Sequence, residues 1–126
     1  MAFLKARAVN LRRTPFDPMA AYQYVQLLTR QGEVQEAMLV VDEILQRVPA
    51  FAPALLERAK SFERGRRPGE AIEAARTALA GEGNDAATER AAHGVLARCY
   101  FLTGNLAAAE QEQQWIEQHP NPDARR

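Results

Sequence analysis

Two alanines 34 residues apart, Ala37 and Ala71, stand near the start of apolar-striped segments that open just after a glycine or proline. Ala109 holds the same place in a third such segment, 38 residues further on. The three stretches are GEVQEAMLVVDEILQRVPA (32–50), RPGEAIEAARTALA (67–80) and GNLAAAEQEQQWIEQHPN (104–121). A chain that writes nearly the same helix three times at near-constant spacing must give each copy an equivalent neighbourhood. One helix pair cannot bury its own apolar stripe, so the copies must stack, and three is about the number a stable stack needs.

Period-2 alternation is almost absent, and the strong helix formers Ala, Leu, Glu, Gln and Arg dominate the chain. Breakers fall at regular intervals. Asp17-Pro18 has the form of an N-cap followed by a first-turn proline, and Gly32, Pro49, Gly65, Pro68, Gly81, Gly83, Gly104 and Pro120 mark the turns. Between them the pattern predicts six helices, over Pro18–Arg30, Val34–Arg47, Pro53–Arg64, Gly69–Ala80, Asp85–Leu102 and Leu106–Gln118. Ala21, Tyr24, Val25 and Leu28 follow i, i+3, i+4, i+7 spacing, as do Ala37, Met38, Val41, Leu45 and Val48. Such stripes are buried against neighbouring helices.

These residues resemble the tetratricopeptide repeat family, whose pattern sets an apolar, a small and an aromatic residue on the first helix of a pair. A small residue, a bulky one and a proline follow on the second. Tyr24, Val25, Leu28, Ala37, Val41, Leu45 and Pro49 carry the match in the first unit. Leu55, Ala59, Phe62, Ala71, Ala75 and Leu79 carry it in the second, and Leu96, Ala97, Tyr100, Gly104 and Ala109 in the third. The 34-residue interval is the family's period. The second interval exceeds it by one helical turn, and the surplus falls in GEGNDAATER, which lengthens the loop or the fifth helix. The chain departs from the pattern at Arg58, where an apolar residue is usual, at Gly83 in place of a closing proline, and at Gln113 and Glu117 on the last helix. The resemblance implies an all-α, right-handed α-solenoid of about three stacked antiparallel helix pairs. The units are 18–51, 52–84 and 85–121, preceded by a basic amphipathic arm at 1–17 and followed by a short tail at 122–126. The polar run EQEQQ is expected to solvate the outer face of the last helix as a cap.

Chemistry-bearing constellations are not found. His93 and His119 lack partners at zinc-ligand spacing. Cys99, the lone cysteine, lies beside Leu96 and Tyr100 and reads as a small buried hydrophobe. GEGN (81–84) is not a phosphate loop, since it lacks the Gly-Lys-Ser/Thr ending. Asp42 and Glu43 read as a solvated face, and Trp115 with Ile116 as the apolar anchor of the last helix. The expectation is therefore no catalytic residues, no metal and no cofactor. Sixteen basic residues balance sixteen acidic ones, which argues against nucleic acid as partner. No run is apolar enough to span a membrane. One cysteine fits a reducing compartment, so a cytoplasmic location is expected. The arm, with Phe3, Leu4, Ala8 and Leu11 on helical spacing among Lys5, Arg7, Arg12 and Arg13, reads as a short leading helix or arm covering the first unit, with a membrane-surface helix or organelle-targeting peptide as the alternative.

The resemblance implies a peptide- or protein-binding module, with an architectural, self-associating subunit as the alternative. First helices of such stacks line a concave face. In this register the inward positions are Tyr22, Gln26 and Arg30, then Leu56, Lys60 and Arg64, then Arg98 and Phe101. They predict a basic stripe interleaved with apolar side chains, suited to a partner bearing acidic and apolar groups. The two-carboxylate clamp that related domains use on chaperone tails maps onto Tyr22, Gln26, Glu57, Ala91 and Val95. None is a clamp residue, so binding of such tails is not expected.

Overall fold

The computed structural model describes residues 16–120, and within them six helices follow one another. They are α1 (Pro18–Arg30), α2 (Val34–Arg47), α3 (Ala52–Arg64), α4 (Pro68–Leu79), α5 (Ala86–Leu102) and α6 (Leu106–Gln118). The expected arm and C-terminal tail lie almost wholly outside the described residues.

The starts are set by local chemistry. Asp17 caps α1, its Oδ1 accepting from the amides of Met19 at 3.0 Å and Ala20 at 3.3 Å. Asp85 does the same for α5 through Thr88 N at 2.7 Å. Proline stands in the first turn of α1, α3 and α4, where its missing N–H costs nothing. The four surplus residues of the third unit become one extra turn, since α5 has 17 residues where α1 and α3 have 13.

The helices pair as α1–α2, α3–α4 and α5–α6, with α3 resting on α2 and α5 resting on α3 and α4. This is an all-α helical repeat. Among the described residues there is no strand, and the only extended contact is an isolated bridge between Phe51 and Glu82. There Glu82 N donates to Ala50 O at 2.6 Å and Ala52 N to Glu82 O at 2.7 Å, tying the α2–α3 turn to the α4–α5 turn.

The core has two parts that meet on α3. Val25, Val41, Ile44 and their neighbours on α1 and α2 bury Ala52, Ala54 and Leu55. Leu56 and Ala59 join Ala71, Ala75, Ala92, Val95 and Leu96 from α4 and α5. Arg58 bridges the first two pairs by donating from Nη2 to Asp42 Oδ1 at 2.8 Å, which explains the polar residue at a usually apolar position. The polar run of the last helix is solvated as expected, with only Glu112 half-buried. No residue of α6 is fully buried, and beside its polar run Phe101, Leu102 and Leu106 stand 67, 67 and 61% exposed. Among the described residues, nothing covers this end of the stack.

Two glycines separate backbone need from tolerance. A Cβ on Gly81 would sit 2.4 Å from the Ala50 carbonyl oxygen, beside the inter-turn bridge. Gly94, inside α5, would meet only the end of the Arg98 side chain, at 3.3 Å. Gly81→Ala is expected to cost about 1–3 kcal/mol by forcing the two turns apart. Gly94→Ala is expected to gain about 0.5–1 kcal/mol from helix propensity. Urea melts of the two variants check both signs.

Candidate protein-interaction surface

The eight inward positions do not form one uniform stripe. Tyr22 is half-buried, edge-on to Phe51 with ring centroids 6.4 Å apart. Its hydroxyl points to Glu57 Oε1 at 3.5 Å. Burial first, and the Glu57 carboxylate next, push the phenol up to about 12. Gln26 and Arg30 are exposed along α1. Leu56 is a core residue, 3% exposed, and so drops out of the surface. Lys60 leans back on Glu57, Nζ to Oε1 3.6 Å. Arg98 is held bidentately by Glu63, with Nε at 2.6 Å and Nη2 at 3.0 Å. Glu63 thus neutralises a neighbour on the next first helix, not Arg64 on its own. Arg30 and Arg64 make no ion pair among the described residues. Phe101 projects freely. The expected continuous basic stripe is therefore corrected to two free cations and two engaged ones.

Two grooves flank the Arg98–Glu63 pair. One, of about 910 Å³, runs between α3, α5 and α6 and is lined by Lys60, Arg90, Gly94, Arg98, Trp115 and His119. The other, of about 660 Å³, lies at the open end of the stack. Phe101, Leu102 and Leu106 form its apolar wall over Ala109, and Arg98 and Glu63 its rim.

The wall of the larger groove is a device the sequence reading missed. The Trp115 ring lies between two imidazoles, His93 at 3.7 Å and His119 at 4.0 Å, with interplanar angles of 18° and 11°. His93 Nδ1 is paired with Glu112 Oε2. His119 Nδ1 donates to the Trp115 carbonyl at 2.8 Å, which fixes its proton on that nitrogen. Arg90 Nη1 donates to the carbonyls of Ile116, at 3.2 Å, and His119. α6 has no basic residue in its last turn, and Arg90 reaches across from α5 to satisfy those orphan carbonyls. Only the Trp115–His119 half, four residues apart on one helix, had a sequence signal.

Cys99 is fully buried and burial pushes its thiol up, away from the reactive thiolate. Among the described residues no group of His, Cys, Asp and Glu is placed to hold a metal ion. No described helix is long and apolar enough to cross a membrane.

Residues 56–121, just over half of the chain, match the family model of the tetratricopeptide repeat. The chain belongs to the tetratricopeptide repeat family. The matched span takes in most of α3 and all of α4, α5 and α6. The α1–α2 pair precedes it, in the same 34-residue register. No curated protein matches the chain. Tetratricopeptide repeats are, in general, protein–protein interaction modules.

Two measurements probe these contacts. Below pH 10 the Tyr22 phenol is neutral in the folded and unfolded chain alike. Between pH 10 and about 12 only the unfolded chain ionises, so the stability of the buried neutral phenol is lost as pH rises through that window. Across it the melting temperature of the wild type should fall relative to that of Tyr22→Phe. Trp115→Ala should destabilise α6 by about 1–3 kcal/mol, since a half-buried stacked indole is lost. Hydrogen exchange should show lost protection at 112–118 with α1–α4 unaffected.

Proposed function

We propose that this chain is a non-enzymatic, cytoplasmic adaptor that holds an extended or helical peptide of a partner protein in the groove between α3, α5 and α6. The observation that carries the reading is the lining of that groove. Three cations, Lys60, Arg90 and Arg98, and one carboxylate, Glu89, line it together with Trp115, whose ring is fixed by two imidazole neighbours. A rigid aromatic flanked by cations suits a peptide that alternates acidic and apolar side chains. Tyr22, Gln26, Arg30 and Arg64 extend the surface along α1 and α3, and Phe101 closes it at the far end.

Affinity for such a peptide is modest, because its carboxylates compete with Glu57 for Lys60 and with Glu63 for Arg98. Arg30 and Arg64 carry no such competition, so they supply the long-range attraction. Nucleic acid is not the partner. The engaged cations and zero net charge leave too little phosphate-neutralising capacity. C-terminal carboxylate tails of chaperones are not partners either, since Val95 lies in the core and Glu57 is acidic at a clamp position. The open apolar end of the stack favours a second, self-associating role beside this one.

A displayed peptide library selected on the folded protein tests the reading. Enriched sequences should combine Asp or Glu with aromatic or aliphatic residues. Arg30→Glu with Arg64→Glu, both at exposed sites, should leave the melting temperature nearly unchanged. It should weaken the selected peptide about tenfold, roughly 1.4 kcal/mol, and flatten its salt dependence. Full affinity in the folded double variant would move the interface off this face.

A further inference from the structure

We propose that the groove at the open end of the stack receives the N-terminal arm, residues 1–15, of a second copy of this chain. The groove is an unfilled place in a series. In the first pair Ala37 is 2% exposed beneath the following helices, and in the second Ala71 is 0% exposed. Ala109 is the corresponding residue of the third pair, and it is only half-buried. Nothing among the described residues follows α6 to cover it. The three most exposed large apolar side chains of the described residues, Phe101, Leu102 and Leu106, all line this one groove. A helix laid across α5 and α6 would cover them as α3 and α5 cover the pairs before them.

The arm has the chemistry for that place. Phe3, Leu4, Ala8 and Leu11 fall on helical spacing, with Lys5, Arg7, Arg12 and Arg13 around them and no Asp or Glu before Asp17. α6 is its complement: Glu110 lines the groove and the helix carries neither Lys nor Arg. That charge also disfavours packing α6 on α6 of a second copy, where carboxylates would meet carboxylates. The lengths match as well. Fifteen residues ordered as a helix would run about 22 Å, beside an α6 of about 20 Å.

The occupant comes from another copy because of where the arm is tethered. Phe16 packs on the first core cluster, with the Arg47 guanidinium 5.0 Å over its ring. From there to α5 are two helix layers, roughly 20 Å at common packing distances. Crossing them takes about six extended residues, so Leu11, Arg12 and Arg13 are drawn out of the groove, and the roughly nine residues left are too few to hold a helix there. The apolar residues nearer its tether, Met19, Leu27, Val34 and Leu39, are spread over α1 and α2 and are less exposed than those at the open end. The contact joins two different surfaces, so it is heterologous.

Sedimentation equilibrium of the full chain tests this. The wild type should rise above the 14.0 kDa monomer with concentration, and less so as salt is raised. Leu102→Glu with Leu106→Glu, at exposed sites, should stay monomeric with unchanged circular dichroism. Arg7→Glu with Arg12→Glu should behave likewise. Mixed together, the two variants should form a complex of twice the monomer mass, because the intact arm of the first enters the intact groove of the second. Three results would each overturn the proposal. They are a wild type monomeric at every concentration, as expected if the arm folds on its own first pair, a groove variant that associates like the wild type, or a mixture that stays monomeric. Peptide binding in the larger groove does not depend on any of them, so the two readings fail separately.

Discussion

Helix α3 is the member on which both halves of the molecule rest. Ala52, Ala54 and Leu55 are buried toward α1 and α2, and Leu56 and Ala59 toward α4 and α5. A helix covered on two sides needs small residues where its neighbours cross it, since only those let backbones approach closely while side chains beyond the crossing interlock. Ala52, Ala54, Ala59, Ala71, Ala75 and Ala78 have no solvent exposure. That arrangement also explains a buried charge. Glu57 faces inward on α3 at 8% exposure, and it is tolerated because the Tyr22 hydroxyl and Lys60 reach it from either side. Removing either partner would leave a carboxylate short of solvation in a crowded place.

Most of the fold was legible because repeat architecture writes its rules locally. The 34-residue spacing, the prolines at helix starts and the Asp17 and Asp85 caps are each decided within a few residues, and the helix bounds follow to within one or two positions. The surface was less legible, for one physical reason. Whether a side chain is free depends on what faces it from another helix. Leu56 sits at an inward register position, yet α3 is a central helix and its inner side is covered, so the leucine is core. Arg98 and Glu63 are 35 residues apart in sequence, and no helical-wheel argument pairs them. The His93–Trp115 stack joins α5 to α6 in the same way. The open end escaped notice because the polar run of α6 reads as a cap, while the apolar side chains that expose the end belong to the last turn of α5 and the first residue of α6.

Zero net charge conceals a division of charge along the chain. The first fifteen residues carry four cations and no anion, while α6 carries three anions and no cation. Between them, most charges on α3 and α5 are locally paired, Lys60 with Glu57 and Arg98 with Glu63. Pairing of this kind contributes little stability at an exposed site. It does restrict rotamers, and so it presets the geometry a ligand meets.

The openness of the last pair and its contacts with α5 are two sides of one balance. α1 to α5 are held by burial, whereas α6 is held by a stacked indole, the Glu112–His93 contact and the Arg90 cap, with no fully buried residue. An element held that way is drawn from the low end of the local stability scale. It is also the shared wall of both grooves, since Trp115 and His119 line one and Leu106 and Ala109 the other. A change that loosens α6 therefore alters the wall of both grooves, while the pairs beneath, held by burial, keep their packing.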